Sequence, residues 1–193
     1  MTKTHDLTTG SLAGHFLRLA VPAAIGMVFS TLYNVVDVFF AGLISTDAQA
    51  GLAISFQAFF VFVTIGFGLG SAMTALVGNA IGAKNTADAS KIAMQGIGFA
   101  ILASALLIIM ALVLGPHLLA FISTEGAYRD AGTAYFTILL FSLPGFVMGY
   151  GLNGLLQARG DTVSMQYALI GAFFANIGLN PLMMFGIPGI WDG

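Results

Sequence analysis

From Ala48 to Ala83 the chain carries no Asp, Glu, Lys or Arg, and the same is true of 92–124, 131–158 and 162–191. Between Arg18 and Asp47 the only charge is Asp37. About 20 consecutive apolar residues suffice to cross a bilayer as a helix, so each interval can hold one span. Only 7% of the residues are charged and 58% are hydrophobic, against about 25% charged in a soluble domain. Such a chain cannot cover its surface with water-seeking groups, which argues against a soluble enzyme. The strict alternation of a membrane barrel is absent. The reading is an all-α integral membrane protein with helices near 17–43, 50–81, 92–114, 131–157 and 163–187. Residues 1–16 form a cytoplasmic N-terminus and 188–193 a truncated extracellular loop.

Loop charges set an orientation. With the N-terminus inside, Lys3, Arg18, Lys84, Lys91 and Arg159 lie inside and only Arg129 outside, as the positive-inside bias expects. The expected location is a cell membrane, crossed several times. The first apolar stretch is too long for a cleaved leader. The absence of cysteine removes disulfides and thiolate metal sites. A net charge of −2 argues against nucleic acid, which needs clustered basic residues. The final turn, with Pro188 and Gly189, reads as leading onward, so the chain is expected to be a fragment.

Asp37 is the strongest functional signal. A carboxylate in a spanning helix costs about 2.5–3.5 kcal/mol on insertion scales and normally faces a protein interior. Ser30, Asn34 and Asp37 share a helix face, and Tyr33 sits one turn before Asp37. A carboxyl out of water loses stability in its charged form unless hydrogen bonds or a cation compensate. Such a group can exchange a proton or hold Na+ beside amides; the bland alternative is a carboxylate near enough to the interface to sit in water. In the fifth span Asn176 and Asn180 lie four apart, on one face, suited equally to helix glue or to a cavity wall. Pro181 frees the carbonyl of Ile177, and Pro22 and Pro144 act similarly in their spans. Tyr135, Tyr150, Asn153 and Gln157 in the fourth span, and Gln57 and Thr64 in the second, are pore-lining candidates, though each alone suits a structural hydrogen bond. Met148, Met165, Met183 and Met184 suit an adaptable apolar wall or simple packing. Gly66, Gly68 and Gly70 in the second span, and the small-xxx-small pair Gly78 and Gly82, permit close helix packing. The GxGxxG letters of Gly149–Gly154 have no strand before them, so the dinucleotide reading fails its context.

Pro22-Ala-Ala-Ile-Gly26, Leu32-Tyr-Asn-Val-Val-Asp37 and Phe39-Phe-Ala-Gly42 together resemble the first helix of the multidrug and toxic compound extrusion (MATE) family. Gly78-Asn-Ala-Ile-Gly-Ala83 is similar to the end of that family's second helix. Leu156-Gln-Ala-Arg-Gly-Asp-Thr162 and Asn176-Ile-Gly-Leu-Asn-Pro181 resemble the turn into its fifth helix and that helix itself. The resemblance runs from about Ser11 to Gly189. It implies five helices of a six-helix N-terminal lobe in a twelve-helix transporter, with the C-terminal lobe in the same chain or a second one. It implies export of cationic or amphipathic small molecules in exchange for H+ or Na+, with no organic cofactor and no enzymatic activity. It places ion coupling at Asp37, with Asn34, Tyr135, Asn176 and Asn180 around it and Na+ potentially held by Asp37, Asn176 and Asn180. Pro22 and Pro181 become helix hinges, and Tyr33, Gln57 and Asn153 line a substrate cleft. Many relatives of the acidic branch have an aspartate where this chain has Asn180, so a shared-proton carboxylate pair is excluded in this lobe. Alternatives are a lipid or lipid-linked glycan flippase of related fold, and an inactive remnant or structural membrane subunit. An intramembrane enzyme would need a partner for Asp37 that the sequence lacks.

Overall fold

A computed structural model describes residues 11–186. These residues form six α-helices and one 3-10 turn, with no strand among them. The helices are α1 (Leu12–Ile44), α2 (Thr46–Gly82), α3 (Thr86–Ile122), α4 (Ala127–Leu139), α5 (Leu143–Ala158) and α6 (Ser164–Phe185), with the 3-10 turn at Leu140–Ser142. Five stretches are long and apolar enough to cross a membrane, one of them comprising α4, the turn and α5.

The helix ends follow their capping chemistry. Helix α1 starts at Leu12, earlier than 17, because the Ser11 side chain accepts a hydrogen bond from the Gly14 N–H and satisfies an orphan donor. One residue joins α1 to α2. The Ser45 N–H closes α1 on the Ala41 carbonyl, and its hydroxyl accepts from the Ala48 N–H to open α2. Helix α3 extends well beyond 92–114 at both ends. Asn85 caps its start through the Asp88 N–H, and the helix continues through Pro116 to Ile122. The expected span 131–157 is not one straight helix. Pro144, which lacks a donor, lies just inside α5, and the chain tightens to 3-10 bonding before it. Helix α6 stops at Phe185, where Gly186 adopts a φ of 72°, a left-handed value that favours glycine. Lys3 and the loop 188–193 lie outside the described residues.

The chain divides into two compact units, Met1–Gln49 with Thr162–Gly193, and Ala50–Asp161. In the first, α1 packs on α6. Phe29 meets Phe173 edge-on, with ring centroids 5.4 Å apart, and Phe40 meets Phe185 at 6.4 Å. Gln166 fills a notch at Gly26: a Cβ built there would lie 1.4 Å from the Gln166 side-chain oxygen. Contact positions rise together along both helices, so α1 and α6 run in the same direction. That direction is the one expected of first and fifth spans.

The second unit is built on backbone approach. A Cβ on Gly154 of α5 would lie 2.3 Å from the Gly70 carbonyl oxygen of α2. The Thr74 hydroxyl reaches both the Gly70 and Gly154 carbonyls, at 3.0 and 3.2 Å. Toward the start of α2, a Cβ on Gly51 would lie 2.8 Å from the Gly132 nitrogen of α4. There the buried Ser55 hydroxyl reaches the Gly51 and Gly132 carbonyls at 2.6 and 2.7 Å. Each crossing thus pairs a glycine contact with a hydroxyl four residues on, the small-residue packing that membrane helices use. The expected Gly78 and Gly82 pair is not the tight contact. Gly82 has nothing within 4 Å, and Gly78 meets Ala158 only at 4.0 Å. Around these crossings a continuous apolar core forms, with Phe59, Phe62, Leu107, Leu119, Phe136, Leu143 and Val147 buried.

Candidate functional site

Asp37 lies two turns from the end of α1, and its residue is only 8% exposed. Asn176 and Asn180, one turn apart on α6, both turn toward it. The Asn176 Nδ2 donates to Asp37 Oδ1 at 2.7 Å and the Asn180 Nδ2 donates to the same oxygen at 2.8 Å. Both lengths are those of well-formed N–H···O hydrogen bonds. Among the described residues no Lys or Arg forms an ion pair with Asp37, so the amides supply its polar contacts.

The cluster has one loose end. The Asn176 Oδ1 is buried and has no hydrogen-bond partner. A buried acceptor left unmade costs about 1–3 kcal/mol. It therefore marks a place where a donor or a cation would be stabilising. The set presents a carboxylate and an amide oxygen to whatever enters. Hard cations take oxygen ligands of this kind, and a protonated carboxyl would bring an O–H donor. The residues present fit either ion.

The other sequence candidates divide between the units. Asn34 turns back on its own helix, where its Nδ2 donates to the Ser30 carbonyl at 2.8 Å, so it is not among the groups bonded to Asp37. Tyr33 is exposed on α1. Pro22 and Pro181 sit inside α1 and α6, and each helix runs unbroken past its proline. Pro181 directly follows the Asn180 that holds Asp37. Tyr135, Gln57 and Asn153 belong to the second unit. There the Tyr135 ring lies against Phe56 with centroids 6.0 Å apart, Gln57 is exposed, and Asn153 lines a groove between α2 and α5. Gln166, which seats in the Gly26 notch, was not singled out by sequence. Its only signal was its glutamine amide near the start of an apolar span. Ser71 and Thr74, which line the groove with Asn153, were likewise passed over, since a hydroxyl in a membrane helix bonds to its own backbone so often that it carries little information.

The comparisons with known proteins agree with this architecture. The MatE family model matches residues 22–182. The chain is 25% identical over 170 residues to the probable multidrug resistance protein YoeA of Bacillus subtilis, covering 88% of this chain and 37% of that protein. It is 26% identical over 170 residues to a probable multidrug resistance protein NorM of Thermotoga maritima, with the same coverage. It is 24% identical over 196 residues to the FAD transporter of Shewanella oneidensis, covering 97% of this chain and 41% of that protein. Among solved structures, a MOP superfamily transporter from Pyrococcus furiosus superposes with a TM-score of 0.82 at 24% identity, over 89% of this chain and 39% of the other. An outward-facing multidrug resistance MATE family transporter superposes with a TM-score of 0.81 at 24% identity, over the same shares. The chain thus spans about two fifths of the length of the relatives it matches. With that fold, five membrane-crossing stretches and a family match over most of its length, the chain is a multi-pass membrane protein that belongs to the MatE family of transporters.

Proposed function

We propose that this chain forms the ion-coupling lobe, the N-terminal one, of a secondary antiporter that exports cationic or amphipathic small molecules in exchange for H+ or Na+. The observation that carries the reading is the buried Asp37 held by two amides beside the unpartnered Asn176 Oδ1. An intramembrane carboxylate without a basic partner is costly, and its presence here supports a role in ion traffic. In the ionised state Asp37 accepts from both amides. When it is protonated, its new O–H is a donor and the Asn176 Oδ1 is an acceptor awaiting one. When Na+ binds instead, the same oxygens are its ligands. Either event removes the net negative charge from the α1–α6 contact and changes what those helices prefer to pack against. Pro22 and Pro181 are positioned to absorb that change, because each frees a carbonyl four residues earlier.

The relatives named for multidrug resistance support an exported substrate, and the relative named as an FAD transporter supports a broad range of cargo. The membrane is a cell membrane with the N-terminus cytoplasmic, the orientation that places the basic loops inside. Transport needs a second lobe, since alternating access is the rocking of one repeat against another.

The test is efflux of a fluorescent organic cation from proteoliposomes containing the complete transporter, driven in turn by a proton and a sodium gradient. Asp37→Asn should reduce gradient-driven efflux at least tenfold. Wild-type efflux by Asp37→Asn under both gradients and across the pH range would overturn the coupling role.

A further inference from the structure

Helices α1 and α6 lie far apart in the chain, and no short loop fixes how far one slides along the other. Between α1 and α2 a corner of one residue, Ser45, settles the matter. There the Gln49 Nε2 also donates to the Val38 carbonyl at 3.3 Å, beside Gly42. Between α1 and α6 the register is held by side chains alone. Along both helices in order, Gly26 meets Gln166, Phe29 meets Phe173, Asp37 meets Asn176 and Asn180, and Phe40 meets Phe185. All of these residues belong to one unit.

The first of these contacts is a notch. Gly26 is buried and Gln166 half-buried, and a Cβ on Gly26 would overlap the Gln166 amide. The neighbours of Gly26 on its own helix face are Pro22, Ala23, Phe29 and Ser30, and each carries a Cβ. The notch therefore exists at one axial position. Sliding α6 along α1 by one residue, a rise of about 1.5 Å, carries Gln166 toward side chains it cannot overlap. Among the described residues the Gln166 side chain makes no hydrogen bond, so shape is what it contributes. The Asp37 end depends on that register. Two amides reach one carboxylate oxygen at 2.7 and 2.8 Å, and N–H···O bonds span only about 2.7–3.2 Å. A slip of one residue is larger than that whole range.

We propose that Gln166 is a positioning residue for ion coupling at Asp37: seated at Gly26, it pins the register of α1 on α6 at which Asn176 and Asn180 both reach Asp37 Oδ1. The inference rests on the reading of Asp37 as the coupling group. Gln166 precedes Asn176 by ten residues on α6, about 15 Å along the axis, so it acts through the helix and not by touching the carboxylate. Because the contact is one of shape, a side chain of the same length without the amide serves equally.

The test is infrared difference spectroscopy of the complete transporter in lipid, with the Asp37 carboxyl band assigned by subtracting the spectrum of Asp37→Asn. Asn176→Ala with Asn180→Ala supplies the reference band of a carboxyl without its amides. Gln166→Ala empties the notch and should move the band at least half of the way from wild type to that reference. Gly26→Ala, which expels Gln166, should move it likewise, and Gln166→Met should leave it at the wild-type position. In proteoliposomes Gln166→Ala should slow gradient-driven efflux at least threefold, and Gln166→Met should restore it. An unmoved band in either Gln166→Ala or Gly26→Ala would overturn the proposal, and a lowered thermal midpoint beside it would make Gln166 a packing residue only. So would a band moved as far by Gln166→Met, because shape would then not be the cause. A reference band that coincides with wild type would remove the amide contact and the proposal with it. Wild-type efflux by Gln166→Ala despite a moved band would cut the register from coupling and also sink the idea. The band is read without a gradient, so a failure of the register shows there, while a failure of the coupling reading shows in the efflux of Asp37→Asn.

Discussion

The two units of this chain are held together by different physics. In the unit of α2 to α5, a continuous apolar core closes around glycine-mediated backbone contacts. In the unit of α1 and α6, the buried described residues are Gly26, Asp37, Ala41 and Asn176, and the contact is keyed by a carboxylate, two amides and a few aromatic rings. Within a bilayer lipid tails are as apolar as leucine, so packing and polar bonds rather than the hydrophobic effect decide which helices associate. Contacts of the first kind do not depend on proton or ion activity. Contacts of the second kind would, under the proposed coupling role of Asp37. On the proposed coupling role, α2 to α5 form the fixed frame and α1 with α6 form the part whose packing a proton or cation alters.

The strongest way to break this comparison is at Gly154. A methyl group there would meet the Gly70 carbonyl oxygen at 2.3 Å, and neither backbone can yield without moving a helix. Overpacking of a tight core costs about 1–3 kcal/mol and occasionally more, and a backbone clash belongs at the upper end, so Gly154→Ala should cost about 3 kcal/mol. Denaturant unfolding in detergent would read it. A wild-type midpoint would mean that the frame is softer than argued.

Next in size is a pair of substitutions at Asp37. Asp37→Leu strands one buried and one half-buried amide donor, and each unmade bond costs about 1–3 kcal/mol, so the loss should be about 2 kcal/mol. Asp37→Asn keeps an acceptor oxygen for Asn176 and Asn180, so stability should change by less than about 1 kcal/mol, within the range of an ordinary neutral hydrogen bond. The split between these variants, set against their shared loss of coupling, separates a structural carboxylate from a functional one. Equal destabilisation by both would mean that the charge itself holds α1 to α6.

The smallest effect calibrates the scale. Lys84 ends the turn between α2 and α3 with φ 59°, a left-handed value, and donates its N–H to the Ile81 carbonyl. Lys84→Gly relieves this strain, against a gain in unfolded-chain entropy, and should stabilise by up to about 1 kcal/mol. A thermal shift upward, with coupling unchanged, would show that the frame can be tightened without touching the α1–α6 contact.

Much of the fold was legible because charge spacing is a one-dimensional signal. The bare intervals located the spans, and the single intramembrane carboxylate located Asp37. What was not legible depended on which faces meet. Asn34 shares a face with Asp37 in sequence, yet its amide bonds its own backbone, whereas Asn180, 143 residues away, reaches the carboxylate. Of the glycines that the second span offered for close packing, Gly66 and Gly70 make tight contacts, whereas Gly68 and Gly82 have nothing within 4 Å, and the tight Gly51 contact was not foreseen. Spacing along one helix says which residues are neighbours on it and nothing about which helix will cover them.

The sequence by itself determined that this protein lives in a membrane, that its helices number five spans, and that Asp37 needs an explanation, because the cost of charge in hydrocarbon is paid locally by each segment. Only the tertiary structure decided that Asn176 and Asn180 both serve one oxygen of Asp37, that the Asn176 carbonyl is left waiting, and that α5 approaches α2 closely enough to leave an amide-lined groove beside the crossing. These are relations between helices, set by the angle and register at which they pack, and no single segment encodes them.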